Sequence, residues 1–252
     1  MAAVLDAVGY TVATGIPLCV PTVDFKEAYD KNSHPYLYAL LGQYGFSDSF
    51  QQGIRNIYGN TAAPIQINGH RSSPIPIRSS VRQGCPISIQ LFSMCLNPLF
   101  CILENNLAGI QIWRRCIKTT VVAYADVVTI FVTSPSDIPK TQEALHCFEE
   151  ASGATVNIGK SRALAIGPWD TSVRIMDSPY HSEAKFLGFH TTSKLQDSAH
   201  KSWTVTMTPI RAQAQDAFCR DLSLDTRIQY VHDYLMAKVG TSRKYTLHQM
   251  RA

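Results

Sequence analysis

The sequence has no C-x-x-C pair, and its seven cysteines are an odd number scattered from Cys19 to Cys219. That spacing excludes a disulfide framework and a cysteine-based zinc site, and it points to a reducing, intracellular compartment. Charge is also scarce: 17% of the 252 residues are charged, and the formal net charge of +4 permits a nucleic-acid partner without demanding one. There is no low-complexity tract and no internal repeat, which excludes solenoids and collagen-like structure. Long apolar runs are few. Residues 1–23 have no basic start and carry Asp6, Gly9, Gly15, Pro17 and Pro21, so they fit neither a secretion signal nor a spanning helix. Residues 84–103 are uncharged, yet Pro86, Ser88, Gln90, Asn97 and Pro98 make them a better buried core helix than a membrane span.

What is present alternates between β-branched runs and helical periodicity. Residues 17–25 predict a buried strand ending near Asp24, and the segment after Glu27 predicts helix, with a restart at Ser33-His34-Pro35 and a stop at Gly45. Residues 50–58 predict a further helix, and 64–68 with 74–77 predict short strands around an Asn68-Gly69 turn. A loop at Arg82-Gln83-Gly84-Cys85-Pro86 leads into an uncharged helix over 87–103, which Asn97-Pro98 can kink. The runs 121–124 and 127–132, separated only by Ala125-Asp126, predict a tight hairpin with a carboxylate at its bend. A helix over 139–152 follows, then strands near 155–158, 163–166 and 186–189, and a helical pattern over 203–238 broken near 222–224.

This order predicts an α+β layer fold with an antiparallel sheet packed on helices. Asp24 at a strand end and Asp126 at a hairpin bend can share a metal if their strands are adjacent, because neighbouring strands lie about 4.7–4.9 Å apart. Read alone, each is equally a cap or an Asx-turn residue. Gly159-Lys160-Ser161 imitates the end of a phosphate-binding loop, but Ala154 stands where the first glycine of that loop is required.

Five segments in order resemble the motifs of reverse transcriptases, in particular those of non-LTR (LINE-type) retrotransposons. Val23-Asp24-Phe25-Lys26-Glu27-Ala28-Tyr29-Asp30 resembles the first, Val81-Arg82-Gln83-Gly84-Cys85-Pro86-Ile87-Ser88 the second, and Ala123-Tyr124-Ala125-Asp126-Val127-Val128-Thr129 the third. Ala151-Ser152-Gly153-Ala154-Thr155-Val156-Asn157 with Lys160-Ser161 is similar to the fourth, and Lys185-Phe186-Leu187-Gly188 to the fifth. The resemblance implies a polymerase palm over 21–190 with a fingers insertion near 50–80, preceded in 1–20 by a remnant of the fingers and a lead-in strand. Residues 191–252 would be a partial helical thumb and a divergent tail.

The same resemblance implies RNA-directed DNA polymerase chemistry on an RNA template and DNA primer with dNTPs, using two Mg²⁺ ions. It makes Asp24 and Asp126 metal ligands and catalytic residues, with the Phe25 carbonyl beside them and Lys160 as the group that protonates pyrophosphate. Tyr29 would lie under the nucleotide sugar, Gln83 and Gly84 against the incoming nucleotide, and Arg82 near the template. Phe186, Leu187 and Gly188 would grip the primer. As residues alone, Tyr29 is equally a core aromatic, Lys160 a solvated loop lysine, and 186–188 a strand and turn.

The departures from the family are specific. Val127 stands where the family has a second Asp of the third motif, only 23 residues precede Asp24, and no endonuclease or Cys-His cluster accompanies the palm. The chain resembles a fragment of a retrotransposon polyprotein, acting in a nuclear or cytoplasmic ribonucleoprotein and not at a membrane. Loss of the carboxylate predicts weakened metal binding and impaired synthesis. The alternative is a catalytically inactive remnant that still binds nucleic acid.

Overall fold

The computed structural model describes residues 2–59, 61–77, 79–81, 85–111, 118–176, 179–181, 183–186, 189–192, 200–201, 204–205, 207–212, 214–215, 223, 226 and 229. The elements begin with helix α1 (Ala2–Thr14), strand β1 (Leu18–Lys26), and helices α2 (Ala28–Lys31), α3 (His34–Gln43) and α4 (Asp48–Tyr58). Four two-residue strands follow, β2 (Ala62–Ala63), β3 (Gln66–Ile67), β4 (His70–Arg71) and β5 (Ile75–Pro76), then helix α5 (Ser88–Asn106). The second half contains β6 (Ile110–Gln111), β7 (Lys118–Thr119), β8 (Val121–Tyr124), β9 (Val127–Ile130), α6 (Asp137–Ser152), β10 (Thr155–Val156), β11 (Arg162–Ile166), β12 (Tyr180–His181), β13 (Glu183–Phe186) and β14 (Phe189–Thr192).

The main sheet has the order β12-β11-β1-β9-β8, with β10 continuing on β1 beyond β11. Its pairs are antiparallel except β11 with β12, so the α+β expectation holds with one parallel edge. β1 is the hub. Leu18 to Thr22 face Ile166 to Arg162 on one side, and Thr22 to Asp24 face Thr129 to Val127 on the other.

Alternation along β1 divides its side chains between two layers. Cys19, Val23 and Phe25 join Leu91, Cys95 and Leu99 of α5 and Leu145 and Phe148 of α6 in the larger core, where Phe25 and Phe148 meet edge-on at 5.3 Å. Leu18 and Val20 join Val4, Ala7 and Val8 of α1, with Phe131, Leu164 and Ile166, in a smaller core on the opposite face. α1 is a helix that the sequence reading does not contain; with no acidic residue in its first turn, it is held by burial of this apolar stripe and ended by Gly15 at φ 69°, whose N–H donates to the Thr11 carbonyl.

The predicted restart and the stop at Gly45 form as expected, and the Asn68-Gly69 turn does too, but the strand before it pairs with 70–71, while 75–76 pairs with 62–63. Pro35 occupies the first turn of α3, and Gly45 adopts φ 74° just after it. β3 pairs with β4 around Asn68-Gly69, both at positive φ, and β2 pairs with β5 below them. Gly153 ends α6 in the left-handed conformation. α5 runs through Pro98; the Met94 carbonyl, which loses its helical donor there, accepts a bond from Tyr44 Oη at 3.3 Å.

One expectation is corrected. Residues 186–189 are not one strand: Phe186 ends β13 and Phe189 begins β14, paired antiparallel, with 187 and 188 outside the described residues. Two aromatic residues three apart read as a run in sequence, whereas the pairing places them on either side of a reversal. The helical pattern over 203–238 is described only in part, helical at 204–205, 207–212 and 214–215, with Ser223 outside any helix. Among the described residues no helix is long and apolar enough to cross a membrane.

Candidate active site

The end of β1 carries Asp24, half-buried, two residues before the strand stops. Both of its backbone polar groups point away from β9. Its N–H donates to Ser161 Oγ at 3.1 Å, and its carbonyl accepts from the Asn157 N–H at 2.7 Å. Since neither group points toward β9, Asp24 and its partner Val127 form a non-hydrogen-bonded antiparallel pair, the type whose Cα atoms approach to about 4.5 Å and whose side chains lie closest. Tyr124 faces Val127 from β8, so Asp24, Val127 and Tyr124 form a row across three strands on one face.

Asp126 is one of two residues joining β8 to β9, next to Val127 in the chain. The bend is strained: Ala125 sits at φ 53°, a left-handed conformation that costs a non-glycine residue about 1–3 kcal/mol and is concentrated at functional sites. Tyr124, 66% exposed, projects beside it. The hairpin thus carries Asp126 to the end of β9 nearest Asp24.

The sequence-predicted residues fall into three groups. Asp24, Phe25 and Asp126 lie at the adjoining ends of β1 and β9, and Lys160 lies in the turn on the other side of β1. Phe25 contributes only backbone, because its side chain is buried in the larger core. Lys160 is exposed in the turn between β10 and β11, adjacent to the Ser161 that holds Asp24. That turn opens no helix, which removes the phosphate-loop reading of Gly159-Lys160-Ser161.

Tyr29, in α2, is half-buried with its ring 4.5 Å from Phe92, and its carbonyl accepts from the Val81 N–H at 2.7 Å. This bond docks the start of the second motif beside the first. Arg82, Gln83 and Gly84 lie outside the described residues, but both flanks are fixed: Val81 on Tyr29, and Cys85 ahead of α5, where Tyr58 Oη contacts its thiol at 3.9 Å. Hydrogen bonds from the backbone of Ile87 and from Tyr58 and Ser88 lower the pKa of the Cys85 thiol. Leu187 and Gly188 also lie outside the described residues, and Phe186 sits on a hairpin distinct from the main sheet.

Among the described residues no group of three or more His, Cys, Asp or Glu side chains forms a metal cage. The donor chemistry of Asp24 and Asp126 nevertheless suits Mg²⁺, which takes oxygen ligands and is commonly held by one or two carboxylates plus substrate phosphates. Sequence reasoning missed Asn157 and Ser161 as backbone supports of Asp24. They lie within the fourth motif, but nothing in that motif says which strand they touch.

The chain matches the family described as Reverse transcriptase (RNA-dependent DNA polymerase) over residues 12–191. It is 30% identical over 162 residues to the Transposon TX1 uncharacterized 149 kDa protein of Xenopus laevis, covering 64% of this chain and 12% of that protein. It is 26% identical over 146 residues to a Pol polyprotein from the type-1 retrotransposable element R2 of Popillia japonica, covering 58% of this chain and 24% of that protein. The chain therefore spans less than a quarter of the length of these curated relatives. In fold it is similar to a telomerase of Candida tropicalis solved with a fragment of telomeric RNA, with TM-score 0.53 at 10% identity over 76% of this chain and 31% of that one. The apo telomerase truncated from its C-terminal domain gives TM-score 0.51 at 14% identity, over 76% of this chain and 38% of that one. With its palm sheet, its ordered motifs and a family match over most of its length, the chain belongs to the reverse transcriptases, as a domain of the non-LTR retrotransposon type.

Proposed function

We propose that this domain is built for RNA-directed DNA synthesis by two-metal nucleotidyl transfer, with Asp24 and Asp126 as the metal ligands, and that Val127 impairs it. The observation that carries this reading is the register: Val127 lies directly opposite Asp24 and next to Asp126, so an apolar side chain fills the position nearest to both carboxylates. Bound Mg²⁺ would supply Lewis-acid activation of the primer 3′-hydroxyl and offset charge on the phosphates. The chain's own residues do the positioning. Asp24 is fixed by its strand and by Asn157 and Ser161, and Asp126 by the strained bend. Tyr29 stands where a nucleotide sugar would lie, and Lys160 is free to donate a proton to the leaving pyrophosphate. Gln83, Gly84 and Arg82 would contact nucleotide and template, and 186–188 the primer.

In this reading residues 21–190 are the palm with a fingers insertion near 50–80, residues 1–20 a fingers remnant and lead-in strand, and residues 191–252 a partial thumb and divergent tail. RNA template, DNA primer and dNTPs are the substrates, and the rest of a polyprotein is the natural context. Val127 also supports a second reading, a palm that binds nucleic acid without extending it.

Primer extension on an RNA template with dNTPs and Mg²⁺ separates the two. Losing even an outer support of a metal site costs about 10–100-fold in affinity or activity, so Val127→Asp should raise extension by at least that factor. Asp24→Ala or Asp126→Ala placed in the Val127→Asp chain should abolish the gain. Full Mg²⁺-dependent extension by the unaltered chain would remove the claim of impairment. Salt-dependent RNA or DNA binding with no extension by either chain would favour the second reading.

A further inference from the structure

The hydrogen-bond ladder of β1 is interrupted at one place. On the side facing β11, pairing runs from Leu18 to Thr22, and it resumes with β10 at Phe25, opposite Val156. Between these two stretches the turn 157–161 runs beside the strand, and a side chain takes over from a carbonyl: the Asp24 N–H is received by Ser161 Oγ at 3.1 Å. Ser161 is fully buried, so water cannot take its place. The turn itself is locked. Asn157 accepts from the N–H groups of Lys160 and Ser161 through its carbonyl, and from the Lys160 N–H through Oδ1. Arg162 donates to the carbonyls of Gly159 at 2.6 Å and Ser161 at 2.8 Å.

We infer that Ser161 is a positioning residue for the metal site: its hydroxyl sets the backbone of Asp24, and through it the direction of the Asp24 carboxylate. This inference rests on the reading of Asp24 as a metal ligand. The geometry favours it because Asp24 lies only two residues from the end of β1, where the ladder is its weakest support. The pair it makes with Val127 contributes no backbone hydrogen bond. Remove the Ser161 hydroxyl, and on this side Asp24 is held by the Asn157 bond alone.

The test is Mn²⁺ binding to the full chain, read by the electron paramagnetic resonance signal of free Mn²⁺, with thermal unfolding measured on the same samples. Asp24→Ala identifies the binding that belongs to the site. Ser161→Ala, which leaves the N–H without an acceptor, should weaken that binding about 10-fold, the lower end for loss of a ligand's support. Ser161→Cys keeps the volume with a poor acceptor and should behave like Ser161→Ala, which keeps the inference testable if the alanine chain does not fold. Ser161→Thr, which keeps the hydroxyl, should restore affinity toward the unaltered value. Unchanged Mn²⁺ affinity in folded Ser161→Ala or Ser161→Cys, even with a lower melting temperature, would overturn the inference while leaving Asp24 as a ligand. Mn²⁺ affinity unaffected by Asp24→Ala would overturn the reading of the site and this inference together.

Discussion

The two faces of β1 are covered differently, and the contrast predicts where a substitution is felt. On one face Cys19, Val23 and Phe25 are sealed beneath α5 and α6. On the other, α1 covers Leu18 and Val20 and leaves Asp24 half-buried, level with Val127 and Tyr124. A substitution on the sealed face should register in stability, and one on the open face in metal binding and catalysis. Val127 lies on the open face, directly opposite Asp24, so its replacement is predicted to be of the second kind.

The strongest way to break this comparison is a cavity on the sealed face. Leu99 is fully buried in α5, so Leu99→Ala should cost about 2–5 kcal/mol. At roughly 2–4 °C per kcal/mol for a chain of this size, the melting temperature should fall by several degrees or more. Val127→Asp should cost no more than about 1 kcal/mol, the scale of like charges directly opposite each other across strands, and Mg²⁺ should recover that loss by binding the folded state. Calorimetry with and without Mg²⁺ reads both. Equal losses in the two variants would mean that the open face is structural after all.

A second effect follows from the buried thiols. Burial pushes both Cys19 and Cys95 up to about 12, and raises Tyr36 as well. Each thiol is held neutral by folding, so its contribution is complete below the ordinary thiol pKa and is lost as pH climbs from about 9 toward 12, with Tyr36 adding to the loss above the ordinary phenol pKa of about 10. Melting temperature should therefore decline across that interval. Replacing Cys19 and Cys95 together by alanine should flatten the alkaline decline while lowering the plateau at neutral pH. A decline of the same steepness without them would place its origin elsewhere.

Much of this arrangement was legible in the sequence, for physical reasons that differ by element. The runs flanking Ala125-Asp126 are β-branched, and a two-residue connection leaves them only one way to pair. Asn68-Gly69 and Gly153 mark left-handed positions, so the hairpin and the end of α6 could be placed from composition. α1 could not, because its helix rests on contacts with Leu164, Ile166 and Phe131, more than a hundred residues away. At the site, the order of the motifs singled out Asp24, Asp126 and Val127. The register that sets Val127 against Asp24 is a tertiary fact, and so is the bond between Asp24 and Ser161, which spans 137 positions. The phenylalanines at 186 and 189 misled because apolar spacing along the chain does not say whether two residues share a strand or face each other from paired strands.

The smallest expected effect tests how the sealed face accommodates a proline. Pro98 has no N–H for the Met94 carbonyl, and Tyr44, at the C-cap of α3, donates its hydroxyl to that carbonyl at 3.3 Å instead. Asn97 Nδ2 in turn donates to that hydroxyl at 3.0 Å, so the tyrosine joins α3 to α5 at the helical fault. Tyr44→Phe removes the donor and should cost about 0.5–1.5 kcal/mol, nearer the lower figure because water can reach this exposed group. In a Pro98→Ala background the new backbone N–H serves Met94 directly, and the same Tyr44→Phe change should then cost less. A coupling of about 0.5 kcal/mol or more between the two changes, measured by thermal unfolding of the four chains, identifies the tyrosine as the proline's substitute donor. Strict additivity would instead show that the Tyr44 hydroxyl contributes only its contact with Asn97. In either case primer extension in the Val127→Asp chain should be unchanged by Tyr44→Phe, because the fault lies behind the sheet from Asp24.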